Sequence, residues 1–206
     1  MSEIDRIMCL SPVIPVLVVQ DAAHARPIAE ALVAGGLRVL EVTLRTEAAL
    51  DVIAEMAKVE GAVVGAGTVL NEADLDASIE AGAEFIVSPG LTDGLAKAAI
   101  ARRIPFLPGI ANSSDIMRGL DLGLDRFKFF PAEASGGIKA LKALSAPFGR
   151  IRFCPTGGID LERAPQWLDL PSVRCVGGSW LVPPGVPDVA EIRQRATAAA
   201  KLATVR

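Results

Sequence analysis

The sequence lacks tyrosine altogether and has a single histidine, His24, among its 206 residues. A polyhistidine metal site, a tyrosine acid and most histidine relays are thereby excluded. Any proton transfer falls to carboxylate, lysine, thiol or water. His24 follows Asp21 near the start of an expected helix, where a surface position is its expected role. The three cysteines, Cys9, Cys154 and Cys175, have no paired spacing, so free buried thiols are expected rather than a disulfide framework. No apolar run approaches the roughly 20 residues of a membrane-spanning helix, and the run over 13–19 is far too short. The first eleven residues carry acids and one arginine without a long apolar core, unlike a secretory signal, and whether a helix there closes one end of the fold is left open. A net charge of -3 without a basic cluster removes any general attraction for nucleic acid or an anionic membrane. The expectation is a soluble cytoplasmic protein that holds any bound anion locally.

What is present is a chain with 51% hydrophobic residues, enough for a sizeable core in one domain over 1–206. Strand patterns are expected at 13–19, 39–45, 62–69, 85–88 and 105–110, around Lys128, and at 151–155 and 173–177. Helical patterns fall between and after them, over 21–33, 47–59, 72–81, up to 101, and over 113–122, 138–144, 161–168 and 189–201. Alternation predicts a parallel sheet, and eight strand–helix units in this length predict a compact (β/α)8 TIM barrel. An open doubly wound sheet is the alternative. Against it, Gly65-Ala66-Gly67 lacks the full dinucleotide spacing and follows the third strand, so tight backbone packing is its expected role.

Lys128 stands in the run Arg126-Phe127-Lys128-Phe129-Phe130-Pro131 and is the one lysine in an expected strand. Lys58, Lys97, Lys139, Lys142 and Lys201 all fall on expected helices with solvated faces. Burying an ammonium group costs hydration and favours the free amine, a nucleophile toward carbonyl carbon. The alternative is a lysine that snorkels or pairs with a carboxylate. Strand alternation puts Arg126, Lys128 and Phe130 on one face. It also puts Val39, Glu41, Thr43 and Arg45 on one face of the second strand, pointing into a barrel, where charges are costly unless paired or used. A Glu41–Arg45 pair that only fixes strand register is the alternative there.

Other strand ends add polar groups at the same mouth. Thr68 offers a hydroxyl, Pro89-Gly90 either a tight turn or a substrate contact, and Asn112 a helix cap. Thr156-Gly157-Gly158 and Gly177-Gly178-Ser179 follow the seventh and eighth strands, where barrels often bind phosphate and where glycines let backbone N–H groups approach an anion. Trp180 either walls that site or packs. A carbonyl-reactive amine, an inward carboxylate, a carboxylate-binding Arg and a phosphate cradle describe a Schiff-base enzyme acting on a phosphorylated keto acid. A phosphate-binding isomerase using Lys128 or Glu41 only as acid or base stays open, as does a non-catalytic sugar-phosphate sensor.

Five segments carry a resemblance: Gly-Gly-x-Arg-x-Leu-Glu-Val-Thr-Leu-Arg-Thr from Gly35, Val-Gly-Ala-Gly-Thr-Val-Leu from Val64, Phe-Lys-Phe-Phe-Pro-Ala-Glu from Phe127, Arg-Phe-Cys-Pro-Thr-Gly-Gly from Arg152 and Val-Gly-Gly-Ser-Trp from Val176. The chain resembles the bacterial 2-keto-3-deoxy-6-phosphogluconate (KDPG) aldolases over residues 13–182. That resemblance implies a (β/α)8 barrel assembled as a homotrimer. It also implies a class I aldolase that cleaves KDPG to pyruvate and D-glyceraldehyde 3-phosphate in the Entner-Doudoroff pathway, many members also acting on 4-hydroxy-2-oxoglutarate. By matching position, it implies that Lys128 forms the Schiff base and Glu41 is the general acid/base. Arg45 and Thr68 would hold the pyruvyl carboxylate, and Phe130 and Pro89 would line the pocket. Thr156, Gly157, Gly158, Gly178 and Ser179 would receive the phosphate end. No cofactor and no metal enters that chemistry. Glu133, close to the lysine, is expected at a helix start rather than in catalysis.

Overall fold

The computed structural model describes residues 2–202; of the expected 1–206 domain, Met1 and residues 203–206 lie outside the described residues. The strands are β1 (Val13–Leu17), β2 (Val39–Thr43), β3 (Val63–Gly67), β4 (Phe85–Ser88), β5 (Phe106–Ile110), β6 (Arg126–Phe129), β7 (Arg152–Pro155) and β8 (Val176–Gly178). The helices are α1 (Glu3–Met8), α2 (Ala25–Ala34), α3 (Ala49–Met56), α4 (Glu72–Glu80), α5 (Asp93–Ala101), α6 (Ser113–Asp121), α7 (Gly137–Ser145), α8 (Ala164–Leu168) and α9 (Val189–Ala200). Parallel ladders run in the order β7-β6-β5-β4-β3-β2-β1-β8. Single bridges between Phe153 and Val173 and between Thr156 and Gly177 bring β7 to β8 and close the ring. The chain is thus a (β/α)8 barrel, not an open sheet.

A parallel barrel buries both faces of its strands, which is why β1, β2, β3 and β5 are buried at every position. One face packs under the helices, as with Leu40, Val42, Val64 and Ile86. The other fills the interior, as with Ile14, Val39, Val63, Phe85 and Leu107. Helix starts follow the expected capping chemistry: the Asn112 side chain accepts from the Asp115 N–H at 3.0 Å, and Asn71, Thr92 and Asp188 cap in the same way.

One question left open by the sequence is decided by the structure, and two features depart from expectation. Residues 3–8 form α1, with Ser2 as its cap, and Ile4, Ile7 and Met8 pack on Ile14, Val39, Val63 and Phe85 to plug the N-terminal end of the barrel. One and a half turns are too short for periodicity to register, and tertiary contacts rather than propensity stabilise the helix. β8 begins at Val176 rather than at residue 173, because 173–175 first run beside β7. There the Arg174 N–H donates to the Phe153 carbonyl at 3.0 Å, before the ladder with β1 starts. Cys9 is exposed at the end of α1, whereas Cys154 and Cys175 are the buried free thiols expected. The neighbouring Cys154 thiol and burial together push the Cys175 thiol well above its ordinary range.

Candidate active site

Side-chain size inside the barrel falls from the bottom to the mouth. Phe85 and Met8 fill the bottom, while Gly65, Gly67, Gly109 and Gly177 line the upper levels. A methyl group at Gly65 would overlap the Phe85 ring, and one at Gly67 would overlap the Glu41 carboxylate. These glycines therefore serve close packing, and the space that they vacate is where the charged groups enter.

Lys128, on β6, and Glu41, on β2, reach that space from opposite walls. Lys128 Nζ donates to Glu41 Oε1 at 2.9 Å, and the two residues are only 5% and 3% exposed. The alternative reading of a Glu41–Arg45 pair is not what forms. Lys128 Nζ also lies 5.3 Å from the centroid of the Phe130 ring, which gives the cation an aromatic wall on its mouth side. The Thr43 hydroxyl donates to the Leu17 carbonyl at 2.8 Å and ties β2 to β1 just above Glu41.

The remaining expected positions surround the mouth. Thr68 directly follows β3 with φ of 62°, a left-handed backbone that a β-branched residue rarely adopts. Pro89 is exposed in a turn tightened by the Ser88 hydroxyl, which donates to the Gly90 carbonyl at 2.7 Å. Arg45 is exposed and shares a cavity of about 630 Å³ with Ser179. Among the described residues Arg45 has no ion pair, so its guanidinium is available to an incoming anion. Thr156 is buried, with its hydroxyl beside Cys154 and facing Gly177. Gly157 and Gly158 have φ of 108° and 79°, values that exclude most side chains. Gly178 lies under the Trp180 ring, so the tryptophan packs over the loop that Ser179 occupies.

Two neighbours were not read correctly from sequence. Glu133 lies in a turn ahead of α7 rather than at its start, and its carboxylate accepts a hydrogen bond from Trp167 Nε1 at 3.0 Å. His24 is half-buried, and with Asp21 and Val16 it lines the same cavity as Arg45. No local pattern announces either placement; both depend on which loop ends meet.

A family model described as KDPG and KHG aldolase matches residues 4–195. The chain belongs to this family. A 2-dehydro-3-deoxy-phosphogluconate aldolase of Zymomonas mobilis is 63% identical over 192 residues, covering 93% of this chain and 92% of the relative. A crystal structure of the Zymomonas mobilis KDPG aldolase with 3-phosphoglycerate superposes with a TM-score of 0.97 at 60% identity, over 98% of this chain and 97% of that one. The KDPG aldolase of Legionella pneumophila, with pyruvate captured as a covalent carbinolamine, superposes with a TM-score of 0.94 at 42% identity, over 97% and 99%. Membership in the KDPG and KHG aldolase family gives the buried Lys128–Glu41 pair a chemical context, since a carbinolamine requires an amine within reach of a keto carbon.

Proposed function

We propose that this chain is a class I aldolase that cleaves KDPG to pyruvate and D-glyceraldehyde 3-phosphate, with Lys128 as the Schiff-base amine and Glu41 as the general acid/base. The observation that carries the reading is the 2.9 Å contact between Lys128 Nζ and Glu41 Oε1, at the level where Gly67 makes room for the Glu41 carboxylate. Glu41 takes a proton from Nζ, and the free amine adds to the C2 carbonyl. The proton returns to the departing hydroxyl as water leaves, giving an iminium. The electrons of the C3–C4 bond flow into that iminium as Glu41 removes the C4 hydroxyl proton, releasing the aldehyde and an enamine. Glu41 then protonates C3, and water adds to C2 to free pyruvate and the amine.

Arg45 and Thr68 hold the pyruvyl carboxylate in this reading, and Phe130 and Pro89 flank the chain of the substrate. Thr156, Gly157, Gly158, Gly178 and Ser179 receive its phosphate end. Arg45 and Ser179 line one cavity, whose lining does not include Lys128 or Glu41, so the cavity supports only the nearness of these two residues to each other. Turnover of 4-hydroxy-2-oxoglutarate to pyruvate and glyoxylate follows from the same amine and carboxylate, since that chemistry ends at C4. Assembly as a homotrimer and a cytoplasmic location belong to the same proposal, on family resemblance. Among the described residues no helix is long and apolar enough to cross a membrane.

Borohydride added with pyruvate should leave a stable adduct on the Lys128 peptide, read by mass spectrometry. An unmodified Lys128, or an adduct on another lysine, would overturn the assignment. Sugar-phosphate turnover without pyruvate release would replace it with the isomerase reading.

A further inference from the structure

The loop after β7 is held from behind by donors that take its carbonyls one after another. The Ala132 N–H donates to the Thr156 carbonyl at 2.8 Å, and the Glu133 N–H donates to the Gly157 carbonyl at 3.1 Å. Arg163 Nη1 donates to the Gly158 carbonyl at 2.9 Å. A trans peptide points its N–H opposite to its C=O. Three carbonyls turned toward this backing therefore turn the N–H groups of Gly157, Gly158 and Ile159 the other way. Successive N–H groups on a left-handed backbone make a concavity suited to an anion.

The backing is itself anchored in one short helix. Arg163 caps the start of α8, and its own N–H donates to Asp160 Oδ1 at 2.9 Å. Trp167, fully buried in the same helix, donates to the Glu133 carboxylate and packs against Phe129 with ring centroids 6.3 Å apart. Glu133 and Arg163 thus approach the glycine loop from two sides of one support. The two peptide donors come from backbone that any sequence would supply. Only the third tether, to Gly158, depends on a side chain.

We infer that Arg163 is a positioning residue for the phosphate end of the substrate, acting through the Gly158 carbonyl rather than by touching phosphate. This rests on the proposed placement of the phosphate at the Gly157–Gly158 loop. The tether fixes the peptide that follows Gly158, so its loss lets the last N–H of the concavity turn away while the reacting end stays intact. Arg163 is 57% exposed, so the bond competes with water, and its removal costs a modest factor.

The test compares the purified parent with Arg163→Ala, Arg163→Gln and Arg163→Lys, using inorganic phosphate as a competitive probe and pyruvate trapping as the phosphate-free readout. Arg163→Ala is expected to raise the phosphate inhibition constant and the KM for KDPG by roughly fivefold, the range of one net hydrogen bond, with the effect on KM rather than kcat. Half-saturation of pyruvate trapping should not move. Arg163→Gln keeps a neutral donor and should recover most of the loss. An unchanged phosphate constant in Arg163→Ala overturns the inference. So does recovery by Arg163→Lys without Arg163→Gln, which would make charge the agent, and so does an equal loss in pyruvate trapping. If phosphate fails to compete even with the parent, the placement of the phosphate end is at fault, a separate result.

Discussion

Two buried ion pairs sit on the same face of the same strand, two residues apart, and they are built for different ends. At the barrel bottom Arg126 is held by Asp5 at 2.5 Å and by Asp125 at 2.9 Å, and Arg174 approaches Asp5 from a third side at 3.6 Å. Burial alone would raise the Asp5 carboxyl, but the hydrogen bond and charge of Arg126 and the charge of Arg174 outweigh it and hold the carboxyl below its ordinary value. Near the mouth Lys128 has one carboxylate partner, Glu41, and an aromatic ring beside it. Guanidinium stays charged at any working pH, whereas a lysine amine gives up its proton when its surroundings ask for it. The lower pair therefore locks the plug helix to β6, and in the proposed mechanism the upper pair keeps the nucleophile next to its base.

The largest effects should come from the upper pair. Lys128→Met should remove the pyruvate adduct and lower kcat/KM by at least about 10⁴-fold, as loss of a nucleophile does. Activity within a hundredfold of the parent would sink the upper pair's catalytic role. Glu41→Gln should still trap pyruvate on Lys128 but turn over about 10²- to 10⁴-fold more slowly, the usual contribution of a positioned acid/base. Complete loss of the adduct in a folded Glu41→Gln protein would mean that the carboxylate is misassigned.

The lower pair predicts stability rather than chemistry. Asp5→Asn removes the charge that two half-buried guanidinium groups share, while Arg126 keeps Asp125, and should cost about 1–3 kcal/mol in denaturant unfolding, with pyruvate trapping per folded molecule unchanged. The pH dependence has a definite sign. Asp5 has a folded pKa below its unfolded value of about 3.9, so its contribution is present above that pH and is lost as pH falls through the folded value. Below about pH 4 the parent should therefore lose stability more steeply than Asp5→Asn. Parallel acid curves would show that the plug is held by Ile4, Ile7 and Met8 alone.

The contrast between the pairs also marks what could be read in advance. Period-two alternation was enough to place Glu41 and Lys128 inside, because a strand offers a side chain only two directions. The barrel followed from eight repeats of one alternation. Their meeting across 87 residues came from closing that barrel and not from any local signal. Asp5 was missed for the opposite reason: a six-residue helix has no usable periodicity, and its carboxylate is legible only once Arg126 and Arg174 are seen above it. Arg163 was missed because its side chain meets a backbone carbonyl, for which side-chain pattern carries no information, and Glu133 because its partner Trp167 lies 34 residues away. His24 was expected on the surface, and the loop ends that half-bury it are distant in sequence.

The smallest predicted effect separates bottom from mouth most finely. Among the described residues, Thr68 and Arg103 are the only non-glycine residues with positive φ, and of these Thr68 follows an interior glycine at the mouth. A β-branched residue held left-handed stores about 1–3 kcal/mol, and glycine gives back part of the relief through its looser unfolded chain. Thr68→Gly should therefore raise stability by about 1 kcal/mol while raising the half-saturating pyruvate concentration several-fold, because the hydroxyl is lost. Thr68→Ala loses the hydroxyl but keeps the strained backbone, so it should weaken pyruvate trapping without the gain in stability. If both variants trap pyruvate like the parent, Thr68 is not a ligand of the carboxylate. If Thr68→Gly is no more stable than Thr68→Ala, the mouth stores no strain at this position, and its difference from the bottom rests on Lys128 and Glu41 alone.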